Sequence, residues 1–126
     1  MVTSQERRLA RRGLSNVLRL LRPAGRDMFL GQLRADLSGA LARIDLAMLA
    51  GDAVALRRAA HDLTALAGVI GAAEVERAAR TLHDRAERPL DCASDCARLE
   101  LLTAGLIARV ARRVRDVRPA PGQAPT

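Results

Sequence analysis

Aromatic side chains are nearly missing from this chain: Phe29 stands alone among 126 residues, with no Trp and no Tyr. That leaves no platform for stacking nucleic-acid bases, and few of the aromatic and β-branched residues that favour strands. Lysine is absent too, so all 21 basic residues are arginines. Cysteine occurs only at Cys92 and Cys96, too few for a disulfide framework. No apolar run approaches the ~20 residues that a membrane span requires. The opening stretch MVTSQERRLARR lacks the apolar segment of a secretory signal. Together these absences lead to the expectation of a cytoplasmic protein that does not engage a membrane.

What is present is apolar and helix-forming. Hydrophobic residues make up 49% of the chain, enough to build a core. Ala, Leu and Arg dominate, all strong helix formers, so the expected class is all-α. The net charge is +7, from 21 basic against 14 acidic residues. The arginines are spread along the chain, with clusters at Arg7, Arg8, Arg11 and Arg12 and at Arg109, Arg112, Arg113 and Arg115. Such a surface suits an acidic protein partner as well as nucleic acid. No recognition-helix pattern with base-reading side chains accompanies it, so the Arg-rich start is read as a solvated face and no nucleic-acid partner is expected.

Punctuation divides the chain into five helical stretches. The first is predicted from about Ser4 to Leu21, with Leu9, Leu14, Val17, Leu18 and Leu21 on a stripe, ended by Pro23 and Gly25. The second is predicted over Asp27 to Ala50, with Leu30, Leu33, Leu37, Leu41, Ile44 and Met48 at three- and four-residue steps. Gly51 suits the left-handed position after a helix and Asp52 suits an N-cap. The third helix is then expected from Ala53 to Ile70, stopping at Gly71, and the fourth from Ala73 to Arg88, barred by Pro89. Ser94 or Asp95 is the expected cap of a fifth helix reaching Val117. The length allows one domain, over residues 1–118 with its core in 26–117. The Pro-rich tail, residues 119–126, is expected to be disordered. Short connections between long helices predict an antiparallel, up-down four-helix bundle with an additional N-terminal helix; a monomer is expected.

Winding the third helix at 100° per residue separates its two faces. With Leu63 as the core direction, Leu56, Ala59, Ala60, Leu66, Ala67 and Ile70 all fall within about 60° of it. His61 lies about 160° away and must point outward. Val54, Arg57, Ala65, Gly68 and Ala72 share its face. A solvated helix face ordinarily carries long charged side chains, yet small residues flank this imidazole on its C-terminal side. Gly68 costs ~1 kcal/mol relative to Ala in a helix interior, which suggests a packing or access reason. A second surface could approach closely here, with Val54, Ala65, Gly68 and Ala72 as the docking face and Arg57 and Arg58 one turn back as anion partners.

An exposed imidazole with an ordinary pKa near ~6.5 is largely neutral at pH 7 and offers one ring nitrogen as a nucleophile. It can take a phosphoryl group from a mixed anhydride such as an aspartyl phosphate, a transfer that depends mostly on positioning and charge stabilisation. Two other candidates are weaker. Cys92 and Cys96, with His83 and Asp91 or Asp95, lack the tight pairing of structural zinc sites, so no metal is expected. His83 has no small-residue face around it and reads as a plain surface histidine.

The segment from Ala50 to Ala72 resembles the signature of histidine-phosphotransfer (HPt) domains. Gly51-Asp52, Leu56, Ala60-His61, Leu63, Ala67 and Gly71-Ala72 match that motif as they stand. Phe29 to Leu37 and Ala78 to Leu82 resemble the family's flanking helices, and the similarity covers about residues 26–115. The resemblance implies a phosphoryl carrier in which His61 exchanges phosphate with receiver-domain aspartates. It implies a response-regulator receiver or hybrid histidine kinase as partner, Mg²⁺ on the receiver, and no cofactor of its own. No ATP-binding glycine motif accompanies the bundle, so self-phosphorylation is not expected. Two positions depart from the family pattern: Thr64 where Lys is common and Ala65 where Gly is common. Losing the lysine leaves open an alternative, an unphosphorylated module that docks on a kinase or receiver.

Overall fold

The computed structural model describes residues 13–117. The predicted helix start before Gly13, with Leu9 and the Arg7–Arg12 cluster, lies outside the described residues, as do the Arg115 side chain and the tail. A helix α1 covers residues 13–19. It is followed by α2 (Pro23–Ala50), α3 (Ala53–Val69), α4 (Ala73–Arg85), a 3₁₀ turn (Pro89–Asp91) and α5 (Ala93–Val117). The described residues contain no strand, and the fold is an all-α bundle. α2 lies against α3 and α5, and α4 lies against α3 and α5. With only two residues between α2 and α3 and three between α3 and α4, each of these neighbouring pairs runs antiparallel.

Two helix ends use the same device. After α2, Gly51 takes φ 63°, its N–H donates to Met48 O and that of Asp52 to Ala47 O at 2.9 Å. After α3, Gly71 takes φ 66°, its N–H donates to Gly68 O and that of Ala72 to Ala67 O at 2.8 Å. Both close the last turn on carbonyls that would otherwise lack partners, in a left-handed conformation that glycine adopts without a Cβ clash. Asp52 then caps α3 by accepting from Ala55 N at 3.0 Å, as its position predicts.

Three boundaries differ from expectation. Pro23 does not simply end the first helix; it sits at the start of α2, which begins four residues earlier than predicted. A first-turn proline suits that place because its missing N–H has no helical partner there. Arg26 fastens the junction, donating from Nε to Leu18 O at 2.7 Å and to Leu21 O at 2.9 Å, carbonyls at and just after the end of α1. α4 stops at Arg85, short of the predicted Arg88, and the chain passes through the 3₁₀ turn. α5 begins at Ala93, so Ser94 and Asp95 lie inside its first turn and neither stands before the helix as a cap. Cys92 holds this corner: its buried thiol donates to Arg85 O and Arg88 O, at 3.2 and 3.4 Å.

The core is built from leucine, alanine and a few β-branched residues. Leu30, Leu33, Leu37 and Ile44 from α2 meet Leu56 and Leu63 from α3, Val75 and Leu82 from α4, and Leu99 and Val110 from α5. Leu41 and Met48, predicted on the α2 stripe, are only partly buried, while Ala40 and Ala47 take the innermost places. Small residues at those positions let the helices approach closely, which a core without large aromatic rings requires. α1 covers one end through the buried Leu14 and Leu18, and Arg113 of α5 donates to the Ser15 hydroxyl at 2.8 Å.

A Cβ built on Gly13 would stand 2.6 Å from Ile70 O and 3.0 Å from Gly71 Cα, both backbone atoms of the α3–α4 connection. Gly13→Ala is therefore expected to push α1 off the bundle end. An overpacking cost of ~1–3 kcal/mol corresponds to a thermal midpoint lower by at least ~4 °C for a domain of this size. A midpoint unchanged in calorimetry would show that α1 does not seat on this turn.

At the α2–α5 seam, Glu100 is held above the ordinary carboxylate range, first by its hydrogen bond to Asp45, then by burial and the Asp45 charge. Glu100 thus binds its proton more tightly when folded. The contact contributes below the unfolded value near 4.5 and is lost as pH rises through the raised folded value. Glu100→Gln keeps a donor toward Asp45 without the second negative charge. Its midpoint at pH 7 should exceed the parent's by about 1–2 °C, with the difference vanishing near pH 4; melting curves at the two pH values decide.

Candidate functional site

His61 is the central residue of α3 and points away from the core. Leu56, Ala59, Ala60, Leu63, Ala67 and Ile70 are buried beneath it and Leu66 is partly buried, the stripe that winding predicts. Val54, Arg57, Ala65 and Gly68 are exposed on the face of His61, Val54 to 66%. Ala72 is a correction. It is only 6% exposed and stands at the N-cap of α4, so it does not belong to the outer face. The helical direction of α3 does not extend past Val69, where the helix ends and the Gly71 turn redirects the backbone.

Thr64 is half-buried, and its hydroxyl donates to Ala60 O at 2.9 Å on its own helix. Arg57 and Arg58 diverge. Arg57 turns toward α4 and pairs with Glu87 at 3.5 Å. Arg58 turns toward α2 and, with Arg43, Leu46, Ala50, Asp52 and Asp62, lines a groove of about 370 Å³ between α2 and α3.

The arrangement that single-helix reasoning missed lies between α3 and α4. The rings of His61 and His83 are 6.0 Å apart, centroid to centroid, with planes inclined at 48°. His83 is therefore not the isolated surface histidine expected; it is the nearest aromatic neighbour of His61. Its Nδ1 lies 3.4 Å from Asp84 Oδ1, which accepts from that nitrogen when it carries the proton. The same antiparallel register continues along α3 and α4 and just past the end of α4. Four residues before His61, Arg57 meets Glu87, four after His83. Seven residues after His61, Gly68 faces Glu76, seven before His83, whose carboxylate would lie 3.6 Å from a Cβ at position 68. Glu76 also accepts from Arg80 at 3.0 Å. Part of the room above Gly68 is thus occupied by a carboxylate of the same chain. A signal for this pairing did exist: His61 and His83 lie equally far on either side of Ala72, at the turn of the α3–α4 hairpin.

The resulting face presents an exposed imidazole with a second imidazole beside it. It is flanked along the hairpin by two ion pairs, Arg57–Glu87 and Arg80–Glu76. The imidazole can act as a nucleophile toward a phosphoryl group, and the guanidinium groups can hold its oxygens. Among the described residues no group of three or more His, Cys, Asp and Glu side chains could hold a metal ion. No helix among them is long and apolar enough to cross a membrane.

The cysteines sit apart from this face, as buried free thiols at the start of α5. Burial, then the charge of Asp95, raises the Cys92 thiol above its ordinary value, partly offset by Arg85. Burial and the neighbouring Cys92 push Cys96 up to about 11. Both should stay protonated at pH 8 and react slowly with Ellman's reagent in the native protein. Two thiols per chain should titrate promptly once urea unfolds it; fast native labelling would show that the α4–α5 corner opens.

Compared with known proteins, residues 27–112 match the family model of the Hpt domain, which is more than half of the chain. No curated protein and no solved structure matches.

Proposed function

The chain belongs to the Hpt domain family, and from that premise we propose that His61 is a reversible phosphoryl acceptor serving receiver-domain aspartates. Membership in the family implies phosphotransfer in two-component signalling, by a phosphoryl carrier and not by an enzyme with its own catalytic motifs. The observation that carries the assignment to His61 is its position: mid-helix, exposed, opposite an unbroken core stripe. His83 is partly buried and lies beside it.

In the forward step a neutral ring nitrogen of His61 attacks the phosphorus of an aspartyl phosphate. The N–P bond forms, the acyl P–O bond breaks, and the aspartate leaves as a carboxylate; the reverse step reloads the receiver. Mg²⁺ and the acidic pocket would come from the receiver, so this chain supplies presentation and local positive charge. Val54, Ala65 and Gly68 form the close-approach surface. Arg57, one turn before His61 on α3, would need to leave Glu87, a pair that is largely exposed and therefore weak. The setting is the cytoplasm, where receivers and kinase cores reside. A docking-only module remains the second reading, favoured by one observation: Thr64 places no charge beside His61 and its hydroxyl is turned back to Ala60 O.

The test is transfer of ³²P from phosphorylated receiver domains to the full chain. Acid-labile label is expected on the wild type and absent from His61→Gln. Stable binding to a receiver without label would establish the docking module instead, and label persisting on His61→Gln would remove His61 from the mechanism.

A further inference from the structure

The antiparallel register that seats His83 beside His61 also sets Arg80 opposite Thr64. The pairs His61/His83 and Gly68/Glu76 step in opposite directions by equal amounts along α3 and α4, and Arg57/Glu87 continues those steps just beyond the end of α4. By the same steps, Arg80 falls level with Thr64. It precedes His83 by three residues, a rise of about 4.5 Å along α4, and shares the helix face with His83 and Glu76. Its side chain is 60% exposed and pairs with Glu76 at 3.0 Å. The Arg80 backbone therefore stands one turn from His83, while its guanidinium is drawn back toward Glu76, on a stem long enough to swing the other way toward the histidine pair.

We infer that Arg80 is the residue of α4 that binds the phosphoryl group carried on His61, and that Glu76 holds it in reserve when His61 is bare. The inference rests on the carrier reading of His61. A phosphoryl group on the imidazole brings a dianion to a face whose cations are already matched by carboxylates. It competes with Glu76 for Arg80, and a phosphoryl oxygen can take two N–H donors from a guanidinium in a geometry that a lysine could not match. Glu76 reaches across to α3 in this arrangement, its carboxylate at ordinary contact distance, 3.6 Å, from where a Cβ on Gly68 would lie. Arg80 forms and breaks no covalent bond; it neutralises charge as the N–P bond forms.

The two sides of the Arg80–Glu76 pair make the test decisive. Single-turnover transfer of ³²P from a phosphorylated receiver to the full chain is followed for the wild type, Arg80→Ala, Arg80→Lys and Glu76→Gln. Circular dichroism and thermal midpoints check that each variant is folded. Arg80→Ala is expected to slow loading of His61 about tenfold, and Arg80→Lys to recover part of that loss. Glu76→Gln releases Arg80 and is expected to load about two- to threefold faster than the wild type. If the pair served only to brace α4, Arg80→Ala and Glu76→Gln would slow transfer alike. That result, or Arg80→Ala loading within twofold of the wild type, overturns the inference while leaving His61 as carrier. Wild-type chain that takes no label, or His61→Gln that still does, overturns the carrier reading and this inference with it.

Discussion

Everything gathered around His61 depends on the reversal at Gly71. The left-handed residue there lets Ala72 N reach Ala67 O, which closes α3 and launches α4 back along it after three residues. That single geometry sets the phase of one helix against the other. It decides that His83 falls beside His61, that Glu87 meets Arg57, and that the Glu76 carboxylate lies over Gly68. One residue more or fewer in the connection would turn α4 by about 100° relative to α3 and remove all three at once. The same turn also supports α1, because Gly13 rests against Ile70 O. Site geometry and the closure of the bundle end therefore share one set of backbone atoms.

The interior meets a different demand. With Phe29 only partly buried and no Trp or Tyr in the chain, volume is supplied by leucine, and close approach by Ala40, Ala47, Ala59, Ala60, Ala67 and Ala79. Ala60 illustrates how the two demands meet. Fully buried and directly before His61, it keeps α3 close to its neighbours while the histidine points away. The carrier thus presents its reactive group from the middle of a stiff helix. Only its side chain need move, which suits a transfer governed by positioning.

Much of this could be read from residue order alone. The core stripe of α3, the outward direction of His61 and the Gly51–Asp52 junction all follow from local rules of periodicity and capping, and local rules describe one helix well. They failed where a decision passed between elements. Pro23 has the same identity whether it ends one helix or opens the next; the Arg26 hydrogen bonds to Leu18 O and Leu21 O show how the junction is held. Ala72 was carried round α3 beyond its last residue. The weight of His83 was hidden because nothing adjacent to it in sequence marks it out. Its partner lies across a hairpin, and only folding the chain about Ala72 reveals the symmetry. The roles of Arg57 and Arg58 also look alike in sequence, yet one faces α4 and the other a groove toward α2.

The two ion pairs flanking the histidines give this face a further property. Each arginine is matched by a glutamate, so the resting hairpin has little net field at a distance. Long-range attraction of an acidic partner must then come from the arginines on the rest of the surface, whose influence decays over roughly 8 Å at physiological salt. Capture of a phosphoryl group acts at contact, where its charge can outbid a carboxylate for a guanidinium. Finding a partner and handling its phosphate are in this way governed by separate sets of charges. One is open to screening by salt, and the other is engaged only when the cargo arrives.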